Sequence, residues 1–166
     1  MNCFIPVFKQ RIIDTFTQEW QGSLSSSSVL DLYKYFKISL TYEPYLDNVP
    51  NDIRHFITKA RISARISAHA LRVHTERFSR NRIPRENRYC LICNKEEVED
   101  IYHFICICPV YNELRRIYLE TNIYVRPSVY KMCSLINSHD KKVLNKLAAF
   151  LKKATILRNN ISVNVI

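Results

Sequence analysis

A mainly α-helical fold, a small helical domain with a Cys/His knuckle between its helices, is predicted for this 166-residue chain by three observations. Glycine occurs once, at Gly22, where average usage would give about 12. Apolar residues recur at three- and four-residue intervals along much of the chain, the period of an amphipathic helix. Four of the six cysteines and a histidine lie between Cys90 and Cys108, with helix-patterned sequence on both sides. The missing glycines leave few type I′ or II′ hairpin turns. They also exclude a Gly-rich phosphate loop, and with it Walker-type NTPases and dinucleotide-binding sheets. Apolar residues make up 47% of the chain, too many for a disordered segment. At this length about two-thirds of the unfolded surface is hidden on folding.

The elements follow in order. Pro6 suits the first turn of a helix. Phe8, Ile12, Phe16 and Trp20 then recur at i+4 and predict a core-facing stripe. Residues 23–28, SLSSSS, read as a polar loop. Ser28 and Asp31 resemble a capping box ahead of a second helix with Val29, Tyr33 and Phe36. Residues 38–50 mix strand-like and turn-like types and read as an irregular connection. A third helix opens near Asn51 and continues through Val73, with Ile53, Ile57, Ala60, Ala64, Ala68 and Leu71 on its core face. Residues 78–87 form a basic loop broken by Pro84. Pro109 opens another helix, in which Val110, Leu114, Ile117 and Tyr118 face inward. SVYKMCSLI predicts a short helix. Asp140 caps a last one, whose apolar face is Val143, Leu147, Phe150, Leu151 and Ala154. Lys142, Lys146, Lys152 and Lys153 lie mostly away from that face. A basic amphipathic helix of this kind can lie on a membrane, but packing on the core is the expectation here. Three segments result, 1–82, 83–120 and 121–166, forming one compact domain.

Charge narrows the class of partner. The net charge is +10, from 25 Lys+Arg against 15 Asp+Glu. Between Arg54 and Arg88 there are ten Lys+Arg and two Glu. Most of the excess therefore sits directly before the cysteine cluster. On one continuous helix Arg54, Arg61, Arg65 and Arg72 would project within about 40° of one another. A solvated basic face explains such a row as well as a binding face does. With Arg77, Arg80, Arg82, Arg85 and Arg88 in the following loop, the segment suits a phosphate backbone. RNA or DNA is the expected partner, with no small-molecule substrate.

No secretory signal is read in MNCFIPVFKQRIID, and no apolar run approaches the ~18 residues of a membrane span. An intracellular, reducing setting is expected, nuclear or cytoplasmic. There, clustered cysteines more often bind metal than form disulfides.

The cluster reads C-x2-C-x9-H-x4-C through Cys90, Cys93, His103 and Cys108. Two thiolates from one tight turn, a third sulfur and an imidazole suit a single tetrahedral Zn²⁺. They do not suit Mg²⁺ or Ca²⁺. Four protein donors leave no open position, so a structural ion is expected rather than a catalytic one. Spacing leaves the fourth ligand between two residues. Cys106, three after His103, shares its face on a helix. Cys108, five after, precedes Pro109, where the chain must turn, and is preferred. Cys106, Cys3 and Cys133 then read as apolar thiols. Glu99 and Asp100 fall where a helix bearing His103 would start, and acids favour that end. One of the nearby acids is expected to take the spare imidazole N–H.

These residues resemble the C-terminal zinc-binding region of non-LTR (LINE-type) retrotransposon reverse transcriptases. The likeness lies in RISARISAHALRVHTERFSR, in IPRENRYCLICNKEEVEDIYHFICICPVYNELR and, less specifically, in FKQRIIDTFTQEWQGSL and SVYKMCSLINSHDKKVLNKLAAFLKKA. It covers most of the chain. It implies zinc ligands at Cys90, Cys93, His103 and Cys108, and a role in contacting template RNA or target DNA. A polymerase palm needs paired carboxylates for two Mg²⁺ ions. The chain has no Asp-Asp pair, so polymerase activity is not implied. Nor does any strained nucleophile elbow exist without glycines beyond Gly22. A non-enzymatic module is expected. The alternatives are a protein-interaction scaffold and a retroelement relic without a selected role.

Overall fold

The computed structural model describes residues 4–26, 33, 37, 39–43, 45–61, 71–76 and 82–163. It is mainly helical, as expected, and no strand occurs among the described residues. The α-helices are α1 (Phe4–Ser26), α2 (Tyr45–Asn48), α3 (Asn51–Arg61), α4 (Arg72–Thr75), α5 (Asn112–Tyr118), α6 (Thr121–Val125), α7 (Val129–Ile136) and α8 (Lys141–Val163). The knuckle lies between α4 and α5.

The last helix organises the rest. Along α8, Leu144, Leu147, Ala148, Phe150, Leu151 and Ala154 are completely buried. The face predicted from i+3 and i+4 spacing is therefore the one that packs. It meets α2, α3, α5 and α7. Asp140 starts the helix as expected, its Oδ1 accepting the Lys142 N–H at 2.6 Å and the Val143 N–H at 3.4 Å. Ser128 caps α7 in the same way, accepting the Lys131 N–H at 3.2 Å. One continuous core runs from Tyr45 to Ala154 and includes Ile57, Ala60 and Leu71 of the predicted third helix. Ala64 and Ala68 lie outside the described residues, as do Val29 and Phe36.

Three expectations are corrected. First, α1 does not turn its stripe to the core. Phe8, Ile12 and Phe16 are 56%, 53% and 59% exposed, and Leu24 is the buried residue of this helix. Periodicity defines an apolar face but not what covers it. The helix also runs into the serines expected to be loop, and there the Ser23 and Ser25 hydroxyls donate to the Glu19 and Gln21 carbonyls one turn back, both at 2.9 Å. Second, no single helix joins Arg54 to Arg72. Leu71 is extended (φ −66°, ψ 142°) and α4 starts after it. Third, the inward face predicted after Pro109 holds at Val110, Leu114 and Tyr118, which pack half-buried against the core, but fails at Ile117. Ile117 is 65% exposed, while Tyr111, Arg115 and Leu119 are buried. The reason is Arg115, whose charged head is needed inside.

Glu99 ties the knuckle to both ends of this fold. Its carboxylate is almost fully buried and receives Arg158 of α8 through two bonds, Nε at 2.7 Å and Nη2 at 2.8 Å. It also accepts the first free N–H of α4, from Arg72, at 2.8 Å. Its own N–H donates to the Arg88 carbonyl at 2.9 Å, and its carbonyl accepts from Val73 at 3.3 Å. The sequence placed Glu99 at a helix start near His103. It instead caps α4 and pairs with a residue 59 positions away. Removing one member of a buried pair leaves the other charge desolvated, at a cost of about 3–5 kcal/mol. Glu99→Ala is therefore expected to lower stability by that amount, read as a fall in the urea midpoint at unchanged slope. Arg82→Ala, at an exposed position, is expected to change it by less than about 0.5 kcal/mol.

Candidate metal centre

Each ligand is positioned by a local rule. The two arms of the knuckle pair where Tyr89 bridges Val98 in antiparallel fashion. The Cys90 N–H donates to the Glu97 carbonyl at 2.8 Å. Between them the chain turns through Cys93 with Asn94 and Glu96 at φ 52° and 51°. Asparagine tolerates the left-handed region better than most residues. Glu96 holds the same conformation without that advantage.

His103 comes next. Asp100 caps its turn, the Oδ1 accepting the His103 N–H at 2.8 Å. The turn then widens into a π-helix, His103–Ile107, and the Cys108 N–H donates to the His103 carbonyl at 2.8 Å. This widening resolves the spacing problem. On an α-helix, residues five apart point about 140° away from each other. A turn closed from i to i+5 brings them back to one side.

The ligand atoms of Cys90, Cys93, His103 and Cys108 all lie within 4.8 Å of one another. Three sulfurs and one nitrogen can thus hold a metal ion. Cys90, His103 and Cys108 are buried and Cys93 half-buried. The imidazole Nε2 lies 3.4 Å from the Cys93 Sγ, and Nδ1 lies 2.9 Å from the Glu97 carboxylate. With Nδ1–H donated to Glu97, Nε2 keeps its lone pair for the cluster. Glu97 is thus the acid that serves the histidine, a role the sequence had left among its neighbours.

Cys106 is not among the four. It is buried and its thiol is pushed up to about 12, chiefly by desolvation. It stays a neutral apolar group. The ligand thiols behave differently. Cys90 is pulled down to about 3 by hydrogen bonding from Cys108, against the opposing effect of burial. Cys108 is raised for the same reason, since it is the donor. Cys93 is raised by burial. For His103 burial favours the neutral ring, but the hydrogen bonds and charges of Cys90 and Glu97 together outweigh it and raise its pKa. Cys90 is thus the thiol most easily deprotonated in the group, and binding of a cation would displace the remaining protons.

A π turn leaves carbonyls without their usual partners, and Arg115 supplies them. Its guanidinium is buried. Nε donates to the Ile105 carbonyl at 2.6 Å, Nη2 to the Phe104 carbonyl at 3.5 Å and Nη1 to Asn112 Oδ1 at 2.8 Å. Phe104 packs edge-on to Tyr111 with ring centroids 4.9 Å apart, closing the other side of the turn. Arg115 was missed in the sequence because it sits in a nominally polar slot of an amphipathic pattern.

Four of the nine predicted arginines are bonded inside the fold. Arg61 is 8% exposed. It pairs with Glu43 at 2.7 Å and lies 4.7 Å from the Tyr45 ring centroid. Arg54 donates to the Val49 carbonyl at 3.1 Å. Arg72 donates to the Tyr89 carbonyl at 3.0 Å and pairs with Glu76 at 3.3 Å. Arg88 donates to the Ile83 and Val73 carbonyls at 2.9 and 2.6 Å. Arg82 and Arg85 are exposed. Arg65, Arg77 and Arg80 lie outside the described residues. Sequence reasoning could not separate these roles, because charge shows in the sequence and carbonyl partners do not.

Comparison with protein-family models, with curated proteins and with solved structures finds no match to this chain. None of its described helices is long and apolar enough to cross a membrane.

Metal titration with a competing indicator separates the roles assigned here. Cys108→Ser is expected to abolish tight Zn²⁺ binding and Cys106→Ser to leave it unchanged. Arg115→Met, which touches no ligand atom, is expected to weaken it about 10- to 100-fold through the loosened π turn.

Proposed function

We propose that this chain is a zinc-stabilised nucleic-acid-binding module that holds RNA or DNA through its phosphates. The single observation that carries the zinc part is the convergence of Cys90, Cys93, His103 and Cys108 within 4.8 Å. At Zn–S near ~2.3 Å and Zn–N near ~2.0–2.1 Å, small inward shifts of these side chains give tetrahedral coordination. The donor set is soft, which favours Zn²⁺ over hard cations. All four positions are filled by protein, so the ion holds the fold and performs no chemistry.

The nucleic-acid part rests on the net charge of +10 and on the resemblance of the CLICN…EVEDIYHFICICP stretch to the zinc-binding region of LINE-type reverse transcriptases. Phosphate contacts fix position and carry little sequence information. Binding by this module is weak and tolerant of sequence. A second reading, a protein-interaction scaffold, is favoured by the exposed apolar face of α1 with Ile5, Ile12, Ile13 and Phe16.

Native mass spectrometry of the reduced chain is expected to give one zinc per molecule, removed by a strong chelator with loss of the near-UV circular dichroism. Oligonucleotide affinity is expected to fall about 50-fold between 50 and 200 mM salt for four phosphate contacts to a single strand. A zinc-free folded chain would remove the first half of the reading. Salt-independent binding, or preference for acidic peptides at matched salt, would remove the second.

A further inference from the structure

Arg54, Arg61, Arg72 and Arg88 are bonded within the fold and Arg82 and Arg85 are exposed, while a second basic surface is present on the last helix. The outward side of α8 carries Lys142, Lys146 and Lys153, all exposed. Their positions differ by four and seven residues, so they project within about 40° of one another. Along the axis they are spaced by about 6 and 10 Å at 1.5 Å per residue. No ion pair to any of the three is present among the described residues.

This row borders a cleft of about 250 Å³ between α8 and the α5–α6 connection, whose lining includes Arg116, Tyr118, Glu120, Thr121, Lys142 and Lys146. The cleft is smaller than the ~300–1,000 Å³ that encloses a typical small ligand. Lys153 reaches across to α5, its Nζ 5.4 Å from the Tyr118 ring centroid. That contact holds the lysine row and the cleft as one surface. The acids nearby are few. Glu120 is the one carboxylate in the lining. Glu113 is paired with Arg116 at 2.9 Å, and Asp140 is held by the backbone of α8. With Arg116 and Glu113 paired, Lys142 and Lys146 face the cleft against the Glu120 carboxylate, with Lys153 beside them.

We infer that the Lys142–Lys146–Lys153 face of α8, with the cleft beside Arg116 and Tyr118, is the phosphate-binding surface of this chain and takes single-stranded nucleic acid. The inference rests on the nucleic-acid reading above and replaces the arginine row as its contact surface. A cationic groove that follows a backbone, with an aromatic ring at its wall, suits a single strand.

The test uses the zinc-loaded full chain and a fluorescein-labelled 20-nucleotide single-stranded RNA of mixed sequence, read by anisotropy from 50 to 200 mM KCl. Lys142→Glu/Lys146→Glu is compared with Arg82→Glu/Arg85→Glu, which changes net charge equally. All four side chains are exposed, and circular dichroism verifies folding. Should either reversal disturb the fold, the Lys→Gln and Arg→Gln pairs are read instead. The lysine pair is expected to lose at least about tenfold in affinity and about 1.4 in the log–log salt slope, and the arginine pair less than threefold. Equal losses, or a larger loss for the arginine pair, overturn the surface assigned here while leaving nucleic-acid binding intact. Equal or tighter binding of the matching duplex overturns the single-strand preference. No binding by the unaltered chain at 50 mM overturns the nucleic-acid reading itself.

Discussion

The separation of His103 from Cys108 is the constraint on which the cluster depends. Five residues do not return to the same side of an α-helix, so the backbone must widen for one turn. That widening frees the carbonyls of Phe104 and Ile105 inside an apolar core. Arg115 answers with a buried guanidinium, donating to both. The cost of hiding its charge is met by carbonyl dipoles and by Asn112 rather than by a carboxylate. Burial lowers the Arg115 pKa, yet arginine remains charged at any ordinary pH. Lysine could not replace this planar set of donors. The α5 register follows from the same demand, since Arg115 must point inward and Ile117 therefore points out.

Glu99 carries the second dependency. One carboxylate joins the knuckle to the start of α4 and to the far end of α8. Arg158 is raised by that pairing, with burial acting against it. The cluster is thus neither a pendant finger nor an isolated turn. It is tied to the helix that packs against α2, α3, α5 and α7, and a disturbance at Glu99 reaches both the Cys/His cluster and α8.

Much of this was legible in the sequence. Spacing marked Cys90, Cys93 and His103 of the cluster and favoured Cys108 as the fourth member, and it marked the apolar face of α8, the Asp140 cap and the short helix after Ser128. Local physics decides those features, and local sequence therefore reports them. The misses share a different cause. The α1 stripe has the right period, but its exposure depends on what reaches it. The arginine row looked like a single helical face because the extended backbone at Leu71 leaves no mark as plain as a proline or glycine. Arg61, Arg72 and Arg88 were counted as surface charge, although partners up to 75 residues away hold them. Buried arginines bonded to carbonyls and exposed arginines have the same letter.

The short span of the metal ligands also orders the life of the chain. All four fall within 19 residues, so closing their loop costs little chain entropy. They leave the ribosome before α8, whose Arg158 lies 50 positions beyond Cys108. During synthesis at about 5–20 residues per second, the thiols wait several seconds for the helix that covers them. An ion captured in that interval can shape the knuckle before Glu99 meets its partner. Without one, the same interval leaves the three ligand thiols open to oxidation. The tempo of translation, as much as the final geometry, then decides which product accumulates.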